Sequence, residues 1–442
     1  MTIWNAPVGN RPLNAVISLP PSKSLTARSL VLALLAKEPT FIANPLHCRD
    51  TDLMIAGIKE FGAQVTAQSG GILVTPPAKL TSQTGVVECG LAGTVMRFLA
   101  PVALLSGQPV RFQGDEAASA RPMQGLQDAL AQLGAQFSDM PKPGHLPFTI
   151  SGQITPSDQL KQLKINAAAS SQFVSALLLV SPALPFEMQI EVDSVLPSIR
   201  HVEMTIAEVN ACGGEIENLG GETGDWNTRQ IRHLWRCKPA SLRGGERIIE
   251  PDLTNAGPFL AAAMICGGQV SIPHWPAKTF QAGDAWRQLL TPMGARIYRT
   301  PEGSLVCQGR GVIGGTRSDL EAIGELTPTL AALCALAVEP SKLTGIGHLR
   351  GHETDRLSAL ETEINRLGGK AHARENSLAI SPAPLHAALV ETYGDHRMAM
   401  FAALIGLQVP GVQVADIECV GKTFPNFTAT WEAMLAGAND AA

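Results

Sequence analysis

The stretch PSKSLTARSLVLALLA, residues 21–36, decides the fold because it joins a charged beginning to an entirely apolar continuation. From Ser29 to Ala36 it carries no charge, and a helix that is apolar on every side must be buried. Its first turn leaves four backbone N–H groups to satisfy, and the helix dipole there attracts negative charge. With Lys23 and Arg28 at this end, the stretch fits either an anion site or a capped helix whose two cations are solvated.

The composition is that of a globular protein with a mildly acidic balance. Hydrophobic residues make up 45% of the 442 residues, and the formal net charge is -5. This charge argues against a nucleic-acid or membrane-surface binder, which would carry a basic excess. The first residues lack the basic region and apolar core of a signal peptide, and the eight cysteines include no CxxC pair. We therefore expect a cytoplasmic protein with reduced cysteines and without a zinc site.

Uncharged, Ala/Leu-rich helices like the first one recur at intervals of 69 to 84 residues. The polar residues that begin them are Ser24, Thr94, Ser171, Asn255, Thr327 and His396. A second series of amphipathic helices alternates with them, mostly ending in glycine, and short strands follow both kinds. The sequence therefore predicts an α/β fold of six βαβαββ units. Because each unit has one helix that must be covered on all sides, we expect two domains of three units, divided near residues 243–251.

Basic residues gather near the predicted helix starts. They are Lys23, Arg28, Arg121, Arg200, Arg356, Arg397 and Lys422. A cation at a helix N-terminus opposes the dipole by about 0.3–1 kcal/mol, and a repeated breach of a local preference usually marks function. These residues therefore predict a strongly anionic ligand, with unrelated surface cations as the alternative.

Two carboxylates stand near these cations. Glu325 begins an apolar helix and Glu353 precedes Arg356 by three residues. Each is either a dipole-compensating cap or a group that takes a proton from a substrate hydroxyl. The sequence has no P-loop or HExxH motif, and His352 and His396 are spaced for no metal site. We expect neither a metal nor an organic cofactor.

Eight segments, in order along nearly the whole chain, resemble the signature segments of the 5-enolpyruvylshikimate-3-phosphate synthase family. They are PSKSLTAR, LAGTVMRF, ARPM, SSQF, GELTP, RGHETDRL, YGDHRMAM and GKTFPNF. The resemblance implies a two-domain inside-out α/β barrel with three βαβαββ units per domain and the active site in the interdomain cleft. One domain would span residues 21–248 and the other residues 1–20 plus 249–442, with crossings near 19–21 and 248–251.

The resemblance also implies the reaction. The enolpyruvyl group of phosphoenolpyruvate would move to the 5-hydroxyl of shikimate 3-phosphate through a tetrahedral intermediate, releasing phosphate, in the pathway to chorismate and the aromatic amino acids. The implied shikimate 3-phosphate residues are Lys23, Ser24, Arg28, Ser170, Ser171, Gln172, Ser198, Arg200, Glu325 and His352, where Arg200 is added for its charge. The implied phosphoenolpyruvate residues are Lys23, Gly93, Arg121, Gln172, Arg356, Arg397 and Lys422. Glu325 would be the base for the hydroxyl, and Glu353 and Lys23 the candidates for protonating the methylene carbon.

Three positions depart from the commonest pattern of the family. Many members have Asp at the position of Glu325, Lys at that of His352 and Asn at that of Leu91. Gly93 is retained, and an added methyl group there should intrude on the phosphoenolpyruvate site. We therefore expect inhibition by glyphosate, which Gly93→Ala should relieve.

Other functions remain as alternatives. The sister family, UDP-N-acetylglucosamine enolpyruvyl transferase, has the same fold and donor, but its mobile loop carries a reactive cysteine that residues 114–121 lack. A catalytically silent repeat protein that binds a phosphorylated ligand is an alternative of another class. A nucleic-acid end-modifying enzyme would require a basic balance that is absent here. We expect small-molecule partners only, no membrane or nucleic acid, and a monomer.

Overall fold

Helices and strands alternate along the part of the chain that the computed structural model describes, residues 2–223 and 230–437. The helices are α1 (Lys23–Leu35), α2 (Arg49–Glu60), α3 (Gly93–Ser106), α4 (Glu116–Ser119), α5 (Gln124–Gln132), α6 (Gln172–Val180), α7 (Ile199–Ala211), α8 (Ala256–Cys266), α9 (Trp286–Leu290), α10 (Thr327–Leu336), α11 (Arg356–Arg366), α12 (His396–Gly406) and α13 (Phe427–Ala436). The strands are β1 (Ile3–Asn5), β2 (Leu13–Val16), β3 (Thr40–Ala43), β4 (Gln64–Gln68), β5 (Gly71–Thr75), β6 (Val86–Glu88), β7 (Val110–Gln113), β8 (Ala135–Ser138), β9 (Phe148–Gly152), β10 (Lys161–Ile165), β11 (Met188–Val192), β12 (Glu215–Asn218), β13 (Gly221–Thr223), β14 (Gln230–Lys238), β15 (Gly245–Ile248), β16 (Gly268–Ile272), β17 (Arg296–Arg299), β18 (Leu305–Gly309), β19 (Arg317–Asp319), β20 (Ser341–Thr344), β21 (Lys370–Arg374), β22 (Ser377–Ser381), β23 (Leu389–Val390) and β24 (Gln413–Ala415).

One strand order recurs in the sheets of the described residues. In the sheet β6-β7-β9-β8, the first two strands are parallel and the remaining neighbours are antiparallel. The sheets β15-β3-β5-β4, β10-β11-β14-β12, β2-β16-β18-β17 and β19-β20-β22-β21 repeat this order, and β23-β24-β1 begins in the same way. A parallel pair needs a crossover helix, whereas an antiparallel pair can follow a short turn. The predicted α/β fold of βαβαββ repeats is confirmed.

The described residues divide into two units with separate hydrophobic cores. Unit 1 combines residues 1–20 with 250–442 in their described part, and unit 2 is Pro21–Ile249. In unit 2 the helices α1, α3 and α6 pack against one another, and in unit 1 α8, α10 and α12 do the same. Almost every residue of these six helices is buried, which explains why their sequences lack a polar face.

The first turn of α1 is fixed by local hydrogen bonds. The hydroxyl of Ser22 caps the helix by accepting a bond from the backbone N–H of Leu25, at 3.4 Å. Thr26 donates its hydroxyl to the carbonyl of Ser22 and accepts a bond from the N–H of Leu46. These bonds hold the charged beginning of α1 against the segment that precedes α2.

A buried carboxylate joins α2 to the strand that leads into α3. Glu60 accepts hydrogen bonds from the hydroxyls of Ser82 and Thr84 and from the backbone N–H groups of Gln83, Thr84 and Gly85, at 2.6–3.0 Å. Burial alone would raise the pKa of Glu60, but these donors outweigh it and lower the pKa. The charged carboxylate therefore stabilises this connection in unit 2.

We expect Glu60→Gln to lower the free energy of unfolding by about 1–3 kcal/mol at pH 7, because buried N–H donors lose a charged acceptor. Because the pKa of Glu60 is lowered in the folded protein, its contribution to the free energy of unfolding is present above the ordinary carboxyl pKa of 4.5. This contribution is lost as the pH falls below that value. Urea unfolding of both proteins at pH 7 and near pH 4 measures this, with the exposed Glu246→Gln as the control. A difference that grew on acidification would contradict the assignment.

Candidate functional site

Lys23 and an acidic partner meet where α1 and α2 begin in unit 2. Lys23 is the first residue of α1, and its Nζ lies 2.9 Å from Oδ2 of Asp50. Both side chains are largely buried, so the pair is only weakly screened by water. Asp50 was not a candidate from the sequence, and it orients the lysine that the family resemblance assigns to both substrates.

Arg28 lies one turn further into α1 and is buried. It donates to the hydroxyl of Thr205 at 2.8 Å, to the carbonyl of Ser24 at 2.9 Å and to that of His201 at 3.0 Å. Burial lowers its pKa to about 10, with the charge of Glu208 opposing the shift, so the guanidinium stays charged at neutral pH. No carboxylate of the described residues forms an ion pair with it, so this buried positive charge attracts an anion.

Gly93 lies against Arg121. A Cβ added to Gly93 would stand 2.9 Å from Nη2 and 3.0 Å from Nη1 of Arg121, so the guanidinium would have to move. Arg121 is buried, and its Nη1 donates to the backbone carbonyl of Leu91 at 3.1 Å. Because the acceptor is a backbone atom, this contact does not depend on the asparagine that many family members have in place of Leu91.

Four polar residues of unit 2 stand at the N-termini of two helices. Ser171 is the buried N-cap residue of α6, with Ser170 before it and Gln172 as the first helical residue. Ser198 is the buried N-cap residue of α7 and has a φ of +52°, a conformation that costs energy for a residue other than glycine. Strain of this kind clusters at ligand sites, because the surrounding structure must hold it.

Arg200 stands apart from these residues. It lies on α7, its Nη1 is 3.0 Å from Oε2 of Glu203, and both side chains are exposed to solvent. An exposed ion pair of this spacing is an ordinary feature of a helix surface and contributes little to stability. The structure therefore gives Arg200 a solvated acidic partner, whereas Arg28 and Arg121 are buried.

Arg356 is the centre of a charged network in unit 1. It is the first residue of α11 and is 1% exposed. It binds Asp395 through Nε at 2.7 Å and Nη2 at 3.1 Å, and Nη2 also lies 3.1 Å from Oε2 of Glu353. Burial alone would lower its pKa, but the charges of Asp395 and Glu353 outweigh burial and raise the pKa. Arg356 is therefore held as a fixed cation.

Lys422 and His352 extend this network. Nζ of Lys422 lies 3.0 Å from Oε1 of Glu353, so this carboxylate bridges Lys422 and Arg356. Nδ1 of His352 lies 3.0 Å from Nη1 of Arg356. Since arginine can only donate, Nδ1 is the acceptor in this contact. An imidazole bound to Arg356 thus stands where many family members have a lysine.

Glu325 is buried in the short 3₁₀ helix Glu321–Leu326, directly before α10. The cations Arg356 and Arg397 are close enough for the charge of Glu325 to favour their protonated forms. For Arg397, burial and the positive charge of Arg356 dominate, and its pKa is lowered overall. A Cβ added to Gly324 would clash with Nε2 of His348, so this imidazole packs directly on the turn that holds Glu325. The arrangement places a carboxylate among cations in unit 1.

A comparison with known protein families identifies the family of the chain. The model of the family EPSP synthase (3-phosphoshikimate 1-carboxyvinyltransferase) matches residues 8–431. The chain belongs to the EPSP synthase family. The 3-phosphoshikimate 1-carboxyvinyltransferase of Kocuria rhizophila is 44% identical over 98% of this chain and 96% of its own length. That of Bifidobacterium longum is 42% identical over 98% of each chain.

Solved structures share the EPSP synthase fold. An EPSP synthase from Acinetobacter baumannii superposes with a TM-score of 0.78 over 98% of both chains, at 21% identity. The enolpyruvyl transferase NikO from Streptomyces tendae superposes with a TM-score of 0.73 over 97% of this chain and 96% of its own, at 16% identity. At these identities the likeness extends to the fold alone.

Three residues of this EPSP synthase family member escaped the sequence reasoning as candidate site residues. Asp50 and Asp395 bind Lys23 and Arg356, and Arg97 donates to Ser170 and Gln172. Arg97 and Asp395 lie within the quoted segments LAGTVMRF and YGDHRMAM, which were the available signal. Across residues 2–223 and 230–437, no helix is long and apolar enough to cross a membrane, and no three His, Cys, Asp or Glu side chains group as metal ligands.

Proposed function

We propose that this chain transfers the enolpyruvyl group of phosphoenolpyruvate to the 5-hydroxyl of shikimate 3-phosphate and releases inorganic phosphate. Membership of the EPSP synthase family supports the reaction. The observation that carries it to this chain is the buried Arg28, whose described hydrogen-bond partners are uncharged. A buried arginine of this kind is matched by an anionic substrate group.

The proposed contacts to shikimate 3-phosphate are the residues that the family resemblance implies. They are Lys23, Ser24, Arg28, Ser170, Ser171, Gln172, Ser198, Glu325 and His352. Hydroxyl, amide and guanidinium donors suit the oxygens of a phosphate and a carboxylate. Arg200 has the weakest support, because it is exposed and already paired with Glu203.

The proposed contacts to phosphoenolpyruvate are the residues that the family resemblance implies. They are Lys23, Gly93, Arg121, Gln172, Arg356, Arg397 and Lys422. Phosphoenolpyruvate and shikimate 3-phosphate are both highly charged anions that repel each other. Fixed cations cancel this repulsion without reorganisation when the substrates react.

The chemistry is an addition followed by an elimination. Glu325 takes the proton of the 5-hydroxyl while the hydroxyl oxygen bonds to C2 of phosphoenolpyruvate. At the same time the methylene carbon gains a proton and becomes a methyl group. The methyl group then loses a proton, the bond from C2 to the phosphate oxygen breaks, and the double bond forms again. Glu353 and Lys23 are the two candidates for these proton transfers at carbon. In the structure Glu353 accepts hydrogen bonds from Lys422 and Arg356.

A phosphate-release assay tests this function. We expect release from phosphoenolpyruvate when shikimate 3-phosphate is the acceptor, and none above background with UDP-N-acetylglucosamine. Release with the nucleotide sugar alone would favour the sister enzyme, and release with neither would favour a silent binding protein. We also propose a monomer, and we propose a cytoplasmic location because the eight cysteines are free.

Gly93→Ala should weaken inhibition by glyphosate by about 10- to 100-fold, because the added methyl displaces the guanidinium of Arg121 and costs a charged hydrogen bond. Inhibition constants and the KM for phosphoenolpyruvate measure the effect, and we expect the KM to rise less than the inhibition constant. Gly221→Ala is the matched control, since nothing lies within 4 Å of its added methyl. Equal inhibition of the wild type and Gly93→Ala would contradict the placement of Gly93.

A further inference from the structure

Arg97 joins two segments of unit 2 that carry proposed substrate contacts. It lies in the second turn of α3, is 2% exposed, and its guanidinium stands 5.2 Å from the ring centroid of Phe173. Nη1 donates to Oε1 of Gln172 at 2.8 Å and to the hydroxyl oxygen of Ser170 at 3.2 Å. Nη2 donates to the carbonyl of Pro122 at 3.2 Å. Arg97 thus binds the side chains of two proposed substrate-binding residues and is not a proposed substrate-binding residue itself.

These contacts fix the orientation of the Gln172 amide. Arginine carries only donors, so the atom of Gln172 that faces Arg97 must be the oxygen. The NH₂ group consequently points away from Arg97. No described residue accepts a hydrogen bond from it, so both of its hydrogens are available to a ligand.

The same contacts fix the role of the Ser170 hydroxyl. Its oxygen accepts one bond from Arg97 and a second from the backbone N–H of Gln172, at 3.3 Å. A hydroxyl oxygen has two lone pairs, and both are occupied. Ser170 can therefore offer its next partner only a proton.

We propose that Arg97 is a positioning residue that sets Ser170 and Gln172 as hydrogen-bond donors, which makes this part of unit 2 selective for an anionic group such as a phosphate ester. The identification of that group with shikimate 3-phosphate rests on the proposed function. Without Arg97, the serine proton can turn inward and the amide can rotate by half a turn. Both changes present lone pairs to an anion and repel it.

A double-mutant cycle tests the proposal by calorimetric binding of shikimate 3-phosphate. The four proteins are the wild type, Arg97→Met, Gln172→Met and the double variant. We expect Arg97→Met to raise the Kd by about 10- to 100-fold in the wild type. In the Gln172→Met background, the fold-increase in Kd caused by Arg97→Met should be at least three times smaller, because one of the groups that Arg97 orients is gone. Equal effects in both backgrounds, or an unchanged Kd for Arg97→Met, would overturn the proposal.

Two further variants separate positioning from loss of structure. Gln172→Glu retains an acceptor for Arg97 but has no hydrogen-bond donor for the ligand. We therefore expect a raised Kd with an undiminished Tm. This variant still tests the proposal if Arg97→Met does not fold. Arg236→Met is the matched control, since Arg236 binds Glu187 elsewhere in unit 2. We expect it to lower the Tm without changing the Kd.

The wild type distinguishes this proposal from the proposed function. If it neither binds shikimate 3-phosphate nor releases phosphate, the proposed function fails. The same proteins are then compared with inorganic phosphate as the probe, measured by the rise in Tm. A weaker rise for Arg97→Met and Gln172→Glu would support the donor arrangement, and an unchanged rise would overturn it.

Discussion

Replacement of Glu325 by glutamine is expected to lower kcat by about 10²- to 10⁴-fold, because the amide fills the same space but cannot take the proton of the attacking hydroxyl. Glutamine has nearly the same size and shape as glutamate, so the loss of packing at this buried position would be small. The Kd for shikimate 3-phosphate and the Tm should change little. Stopped-flow or steady-state phosphate release gives kcat, and calorimetry gives the Kd.

Two variants make this result specific. Glu321→Gln changes an exposed carboxylate in the same 3₁₀ helix and should leave kcat unaltered. Glu325→Asp shortens the side chain by one methylene but keeps the carboxylate that many family members have, so we expect it to retain far more activity than Glu325→Gln. Near-normal turnover of Glu325→Gln would exclude Glu325 as the base.

Arg356→Met is expected to lower the free energy of unfolding by about 3–5 kcal/mol and to raise the KM for phosphoenolpyruvate. The arginine is buried between Asp395 and Glu353, and its removal leaves two acidic side chains without their shared cation. Removing one partner of a buried ion pair is costly because the remaining charge stays buried. Urea unfolding and steady-state kinetics measure the two effects.

Arg287→Met is the matched control for Arg356→Met. Arg287 pairs with Asp284 in the same unit, but both side chains are partly exposed, so we expect a change below about 1 kcal/mol. If the two variants lost the same stability and the KM for phosphoenolpyruvate stayed at the wild-type value, the central position of Arg356 would be wrong.

The fold could be predicted because its strongest determinant is local. Residues 24–36 and the five similar stretches lack a polar face, and such helices must be enclosed wherever they occur. The pairing of distant strands could not be predicted in the same way. β1 pairs with β24 and β2 with β16, and these partners lie far apart in the chain. Such pairs depend on tertiary packing, which no window of sequence contains.

The candidate site shows the same division. Motifs identify side chains by type and position, so Lys23, Gly93 and Glu325 could be named from the sequence. Partners that act through another side chain are harder to find. Arg97 and Gln172 are 75 positions apart and meet only because α3 packs on α6. Burial is not visible in the sequence either. Arg200 became a candidate by its charge alone, and the structure shows it exposed and paired with Glu203.

The most direct measurement offers the wild type phosphoenolpyruvate together with shikimate 3-phosphate and UDP-N-acetylglucosamine at equal concentrations, and identifies the product by mass spectrometry. Both acceptors compete for one enolpyruvyl donor, so the ratio of products reports the acceptor specificity that the buried Arg28, Ser170 and Gln172 are proposed to set. We predict the enolpyruvyl ether of shikimate 3-phosphate as the product. An enolpyruvyl adduct of the nucleotide sugar alone, or no adduct of either acceptor, would contradict the account.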